Sequence, residues 1–133
     1  MNQEEIGKAI LDAAFTVHTK LGPGLLESVY EAALVRELIK RGFTVERQKP
    51  ILVHYDDELL EEVAFRADLI VNHLVLIELK SVSEVTDLFK KITYNYLRLI
   101  PLQLGFIINF NEAHLKNGIT RIVNGAEGKP TFR

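Results

Sequence analysis

Three ionisable side chains stand where apolar ones are expected. Asp68 interrupts the run Phe65–Val71, and Glu78-Leu79-Lys80 closes the run Leu74–Lys80. Both runs read as central strands, and strands covered on both faces are nearly all apolar. Burying a bare carboxylate is expensive, so Asp68 and Glu78 each require a partner or a metal ion. How they meet depends on the turn at Asn72-His73. A two-residue turn pairs Val71 with Leu74, sets Asp68 opposite Ile77 and sends Glu78 to the other face. A three-residue loop, or a bulge that absorbs one residue, sets Asp68 directly against Glu78, with Cβ atoms ~4.5–5.5 Å apart. Lys80 shares the face of Glu78, because strand side chains repeat every second residue.

Two carboxylates at that separation repel by ~3–4 kcal/mol at an effective dielectric near ~20. Proton sharing, Lys80 or a divalent cation would relieve them. Two carboxylates with open positions suit Mg²⁺ or Mn²⁺, with water and phosphate oxygens completing the shell. The competing reading is an internal ion-pair network in which Arg66 and Lys80 merely neutralise Asp68 and Glu78. The shared-metal reading requires an odd loop or a bulge between the strands, with Asp68, Glu78 and Lys80 on one side of the sheet.

Other chemistries find less support. The chain has no cysteine, which excludes thiol nucleophiles, disulfides and Cys-ligated metals. His18, His54, His73 and His114 show no zinc-binding spacing. No Gly-rich phosphate loop is present, and Ser28, Ser81 and Ser83 lie in no nucleophile elbow. Lys90-Lys91 with Arg98 reads as a solvated helix face. With 16 Lys and Arg against 18 Asp and Glu, the formal net charge is −2. Nucleic acid would not be held by overall field, so phosphate contact must come from a local cluster or a metal ion.

The elements that must position these residues follow from periodicity. Apolar residues at Ile6, Ile10, Ala13, Ala14, Val17 and Leu21 form a helical stripe, with Asn2 and Glu5 as a capping box and Gly22-Pro23-Gly24 as its stop. A second stripe, Leu26 to Leu38, runs to Gly42 as C′ residue. The period then becomes two. Phe43 and Val45 lie in one strand, Ile51, Val53 and Tyr55 in another, with Pro50 marking a break or edge and Asp56-Asp57-Glu58 a turn. Val85 to Leu99 is a third helical stripe, ended by Pro101. Leu104 to Phe110 is a strong strand, Ile119 to Val123 a short one, and the C-terminal end is expected to fray. The order αα–βββ(β)–α–β defines an α/β (α+β) fold with a mixed sheet flanked by helices. The 133 residues, 47% of them hydrophobic, make one domain, residues 1–133, large enough to fold without staples. No apolar run reaches the ~20 residues of a membrane span, and the acidic N-terminus is not a signal peptide, so the expected location is cytoplasmic.

Taken together these residues resemble a known family. Asp68, nine intervening residues and Glu78-Leu79-Lys80 look like the signature of the PD-(D/E)XK nuclease superfamily. Gly24-Leu25-Leu26-Glu27-Ser28-Val29-Tyr30 is similar to the motif that names the GxxExxY proteins, a branch of that superfamily. The resemblance runs from Ile6 to about Asn124 and takes in Gln48, Arg66-Ala67-Asp68, Asn95-Tyr96-Leu97 and Ile107-Ile108-Asn109-Phe110. It implies a restriction-endonuclease-like core that cuts phosphodiester bonds with Mg²⁺ (or Mn²⁺). By that resemblance Asp68 and Glu78 ligate the metal, and Glu27 adds a carboxylate directly or through water. Lys80 then stabilises the transition state or positions the attacking water. Tyr30, three residues after Glu27 and on its face, either hydrogen-bonds Glu27 or a phosphate, or is a core aromatic with a satisfied hydroxyl. Gln48 and Tyr96 are further site candidates.

One departure matters. The family often carries Gln four residues before Tyr96 and His three residues before that; here the positions hold Ile92 and Phe89. The resemblance therefore implies a metal-dependent nuclease acting on DNA in preference to RNA, with a homodimer serving two strands and no membrane partner. The alternative is a catalytically inactive nuclease-fold module that binds nucleic acid or a protein partner, or a metal-free oligomerisation domain.

Overall fold

The computed structural model describes residues 1–61, 65–125 and the backbone of 130–132. Two helices open the chain, α1 (Gln3–Leu21) and α2 (Glu27–Lys40). Asn2 caps α1 through the expected box: its side chain accepts from the Glu5 N–H and the Glu5 carboxylate accepts from the Asn2 N–H. The α2 terminus is a Schellman turn, with Gly42 (φ 90°) donating to Ile39 and Phe43 donating to Leu38.

The strands follow: β1 (Val45–Ile51), a small hairpin of β2 (His54–Tyr55) and β3 (Glu58–Leu59), then β4 (Phe65–Val71) and β5 (Val75–Lys80). Helix α3 (Asp87–Leu99), capped by the Thr86 hydroxyl, links β5 to β6 (Leu104–Asn109). A 3₁₀ turn (Leu115–Gly118), β7 (Ile119–Asn124) and β8 (Pro130–Phe132) complete the chain. The main sheet has the order β1-β4-β5-β6-β7-β8, with β5 and β6 parallel and every other pair antiparallel. The parallel pair needs a crossover, and α3 supplies it.

Helices cover both faces. Ile6, Ile10, Ala13 and Val17 of α1 and Tyr30, Leu34 and Leu38 of α2 pack on Leu69, Ile77, Leu79 and Phe106. On the other face Leu97 of α3 packs with Ile70, Leu76, Ile107 and Ile122. All six residues of β6 are buried, which explains its unbroken apolar run.

Pro50, read as a break or an edge, marks an edge and does not end the strand: β1 runs through it to Ile51, because β1 lies at the sheet edge, where a missing N–H costs no ladder bond. The break falls at Leu52-Val53, and Tyr55 belongs to the separate two-stranded hairpin. The chain end does not simply fray either, since Pro130–Phe132 pairs with Ile122–Asn124. The remainder of that end lies outside the described residues.

Candidate active site

The turn between β4 and β5 decides where the carboxylates go. Asn72 (φ 50°) and His73 (φ 57°) are left-handed, and the Leu74 N–H closes the turn on the Val71 carbonyl. Leu74 is then an extra residue, so the ladder starts at Val71↔Val75 and continues through Ile70↔Leu76 to Leu69↔Ile77. The next step of that register sets Asp68 against Glu78. There the backbone ladder stops and the carboxylates replace it. The Asp68 N–H donates to Glu78 Oε1 (3.3 Å), and the Leu79 N–H donates to Asp68 Oδ2 (2.8 Å).

The neighbouring strand is disturbed in the same row. Arg47↔Leu69 and Lys49↔Ala67 pair normally, while Gln48 between them takes a left-handed φ of 48°. A non-glycine residue held there stores strain and re-aims its side chain. The two strands also change faces at this row without changing register. Val45 and Leu69 pack against α1 and α2, whereas Ile51 and Ala67 pack into the core beneath α3. Simple alternation through Asp68 therefore fails.

Gln48 Nε2 donates to Asp68 Oδ1 (3.3 Å) and to Glu31 Oε1 of α2 (2.7 Å), and Arg47 pairs with the other Glu31 oxygen (3.1 Å). Glu31 escaped the sequence reading; its i+4 spacing from Glu27, which puts both on one helical face, was the available signal. Glu27 itself reaches the end of β5, where its Oε2 accepts from the Ser81 N–H (3.4 Å). Among the described residues no group of three His, Cys, Asp or Glu side chains comes together to hold one ion. Glu27 is thus bonded to the segment just after Lys80 and does not join Asp68 and Glu78 in one three-carboxylate cluster.

Tyr30 goes elsewhere. It is fully buried, stacks on Phe110 at 4.5 Å, donates to the Gly22 carbonyl and accepts from the Leu25 N–H. Its hydroxyl fastens the turn between α1 and α2, the core-aromatic alternative, and makes no bond to Glu27. Tyr96 does face the carboxylates. With Glu78, Lys80, Phe89, Ile92 and Thr93 it lines a cleft of about 150 Å³ between β5 and α3. Burial, then the charges of Glu78 and Asp68, push its hydroxyl pKa up.

Glu78 is only 5% exposed. Burial foremost, then the Asp68 charge and a hydrogen bond to Asp68, push its carboxyl up to about 9. At neutral pH the Glu78 carboxyl of the metal-free protein therefore keeps its proton. The cations do not neutralise the pair. Arg66 donates to the Gln48 carbonyl (3.4 Å), and the Lys80 ammonium lies over the Phe89 ring, 4.5 Å from its centre. Among the described residues neither forms an ion pair with Asp68 or Glu78, so the ion-pair network expected as the competing reading does not form. The donor set fits a hard divalent cation that would displace this proton, with the rest of the shell left to water and substrate oxygens.

Asn109, buried at the end of β6, fixes the segment after Lys80. Its Nδ2 donates to the Val82 carbonyl (2.9 Å) and its Oδ1 accepts from the Val82 N–H (3.1 Å).

A mixed sheet covered by helices on both faces is the architecture of a restriction-endonuclease-like fold. A model of the PD-(D/E)XK nuclease superfamily matches residues 4–122, and the chain belongs to that superfamily. Its members are nucleases of nucleic acids that typically use divalent metals. Neither the curated proteins nor the solved structures yielded a match. Among the described residues no helix is long and apolar enough to cross a membrane.

Proposed function

We propose that this protein is a metal-dependent phosphodiester hydrolase acting on DNA, in the manner of the GxxExxY branch. One observation carries the reading: Asp68 and Glu78 meet side by side where the ladder of the sheet stops, bonded to each other's strand backbone, although Arg66 and Lys80 are near enough in sequence to have neutralised them. Evolved structural carboxylates are normally paired with cations, and a buried, perturbed carboxyl lining a cleft suits a functional site.

In this reading Asp68 and Glu78 would hold Mg²⁺ or Mn²⁺, and Glu27 would add negative charge from the segment after Lys80. A bound divalent cation polarises the phosphoryl oxygen and makes water a better nucleophile. Gln48 holds the Asp68 carboxylate in place from the β1 side. Lys80 meets the charge that develops on the phosphoryl oxygens. Tyr96, across the cleft, keeps its hydroxyl proton and donates to a phosphate oxygen. Residues 1–133 act as one unit in the cytoplasm, and two copies serve the two strands of a duplex.

The second reading, a nuclease fold that binds without cutting, is favoured by Ile92 and Phe89, which present apolar surface to the cleft. Plasmid nicking with and without Mg²⁺, beside calorimetric Mg²⁺ titration, separates the two. The nuclease reading expects nicking and metal binding in the wild type and neither in Asp68→Asn. Metal-independent behaviour in both proteins would leave only the binding module.

A further inference from the structure

We propose that Phe89 is a positioning residue for Lys80: its ring face holds the ammonium in the cleft by a cation–π contact while leaving the charge and its N–H donors available to substrate. The inference rests on the nuclease reading above and assigns a task to a residue that reading leaves unexplained.

Lys80 ends β5 with its Nζ 4.5 Å from the centre of the Phe89 ring. Among the described residues it forms no ion pair. A long, flexible side chain loses considerable rotamer freedom when it is fixed, and something must favour one position. A carboxylate partner would do so at the cost of neutralising the charge and occupying the donors. An aromatic face attracts the cation through its quadrupole and accepts no conventional hydrogen bond, so the ammonium is held and stays reactive.

The backbone that carries the ring is itself fixed on both sides. The Phe89 N–H donates to the Thr86 hydroxyl at the start of α3 (3.3 Å), and the Phe89 carbonyl accepts from the buried Thr93 hydroxyl (2.9 Å). Thr93 also lines the cleft with Glu78 and Tyr96. The first turns of α3 thus form a support for one side chain of β5. The apolar residue at this position takes on a role that a hydrogen-bonding side chain would perform differently.

The test is site-specific replacement of Phe89 by trifluorophenylalanine, which keeps the ring's shape and removes most of the negative potential of its face, beside Phe89→Leu and Phe89→Trp. Two readouts apply: Mg²⁺-dependent nicking kinetics, and the NMR shifts of the Lys80 Cε protons, which the ring current moves upfield. The expected result is kcat lowered by about tenfold with KM unchanged in the trifluoro and Leu proteins, and activity within about threefold of wild type in Trp. The upfield shift should disappear in Leu alone. An active wild type with equal kcat in the trifluoro protein would overturn the positioning role and leave the nuclease reading standing. A wild type that never nicks would overturn both. An unshifted Lys80 in the wild type would overturn the contact itself.

Discussion

Glu78 carries the most consequential charge decision in the molecule. Its folded pKa, about 9, lies far above the ordinary carboxyl value. Between those values the folded chain binds a proton that the unfolded chain releases. Stability contributed by that proton is fully present below the unfolded pKa and is lost as pH rises toward the folded one. Thermal melts of the metal-free protein should therefore fall steadily from pH 5.5 to 8.5, with a slope of at most about 1.4 kcal/mol per pH unit from this group. Glu78→Gln should remove that decline, and Mg²⁺, which competes with the proton, should counter it most strongly at the alkaline end. A melt independent of pH over this window would show that Glu78 holds no extra proton in the folded chain. Asp68 acts differently in its two truncations. Asn preserves an acceptor for the Leu79 N–H, so Asp68→Asn should stay close to wild-type stability. Asp68→Ala orphans that N–H and should lose about 1–3 kcal/mol relative to Asn, as read by urea titration. Lys80→Ala should lose no more than about 1 kcal/mol, because the proton and not the lysine relieves the carboxylates.

The elements matter through the way they end. β5 and β6 run parallel, and their C-terminal ends are tied by the Phe110 N–H to the Lys80 carbonyl (2.9 Å) and by the two bonds exchanged between the Asn109 side chain and the Val82 backbone. Asn109→Ala should cost about 1–3 kcal/mol and speed hydrogen exchange at Val82 far more than in the middle of β5. Unchanged exchange there would mean that the segment after Lys80 is held by other contacts. The turn that leads into β7 has its own restriction. A Cβ at Gly118 would overlap the Asn109 carbonyl oxygen, and a backbone atom cannot step aside as a side chain can. Gly118→Ala should therefore destabilise by about 1–3 kcal/mol in denaturant titrations, with the β6 end displaced. At the opposite end of the sheet, the extra residue Leu74 keeps Asp68 in the row of Glu78.

The molecule as a whole is nearly neutral, with a formal net charge of −2. Binding of nucleic acid by general field should be weak, and the phosphate contact should depend on positive charge brought to the Asp68–Glu78 pair. Fluorescence anisotropy with a duplex should show affinity rising by about tenfold or more when millimolar Ca²⁺ is added, and no such rise in Glu78→Gln. Equal binding with and without a divalent cation would place the nucleic-acid contact on some other surface.

Much of this architecture was legible in local pattern. The capping box at Asn2 and Glu5, the Gly42 terminus of α2 and the buried run of β6 each depend on neighbours a few residues away, and periodicity reports such contacts directly. The chemical types at 68, 78 and 80 likewise announced themselves, because charge inside a doubly covered strand is costly wherever it stands. The spacing also limited the turn at Asn72-His73 to an odd count if the carboxylates were to meet. Whether they met was a tertiary matter. It depended on Leu74 being left out of the ladder, on Gln48 taking a left-handed backbone and on β1 and β4 changing faces in one row, none of which alters the hydrophobic pattern. Partner choice was equally illegible. Lys80 had a carboxylate two residues away in its own strand and settled on a ring nine residues later. Gln48 reached Glu31, and Tyr30 turned from the site to a loop carbonyl. Such choices compare energies within a few kcal/mol across distant segments, and only the folded packing sets the distances that decide them.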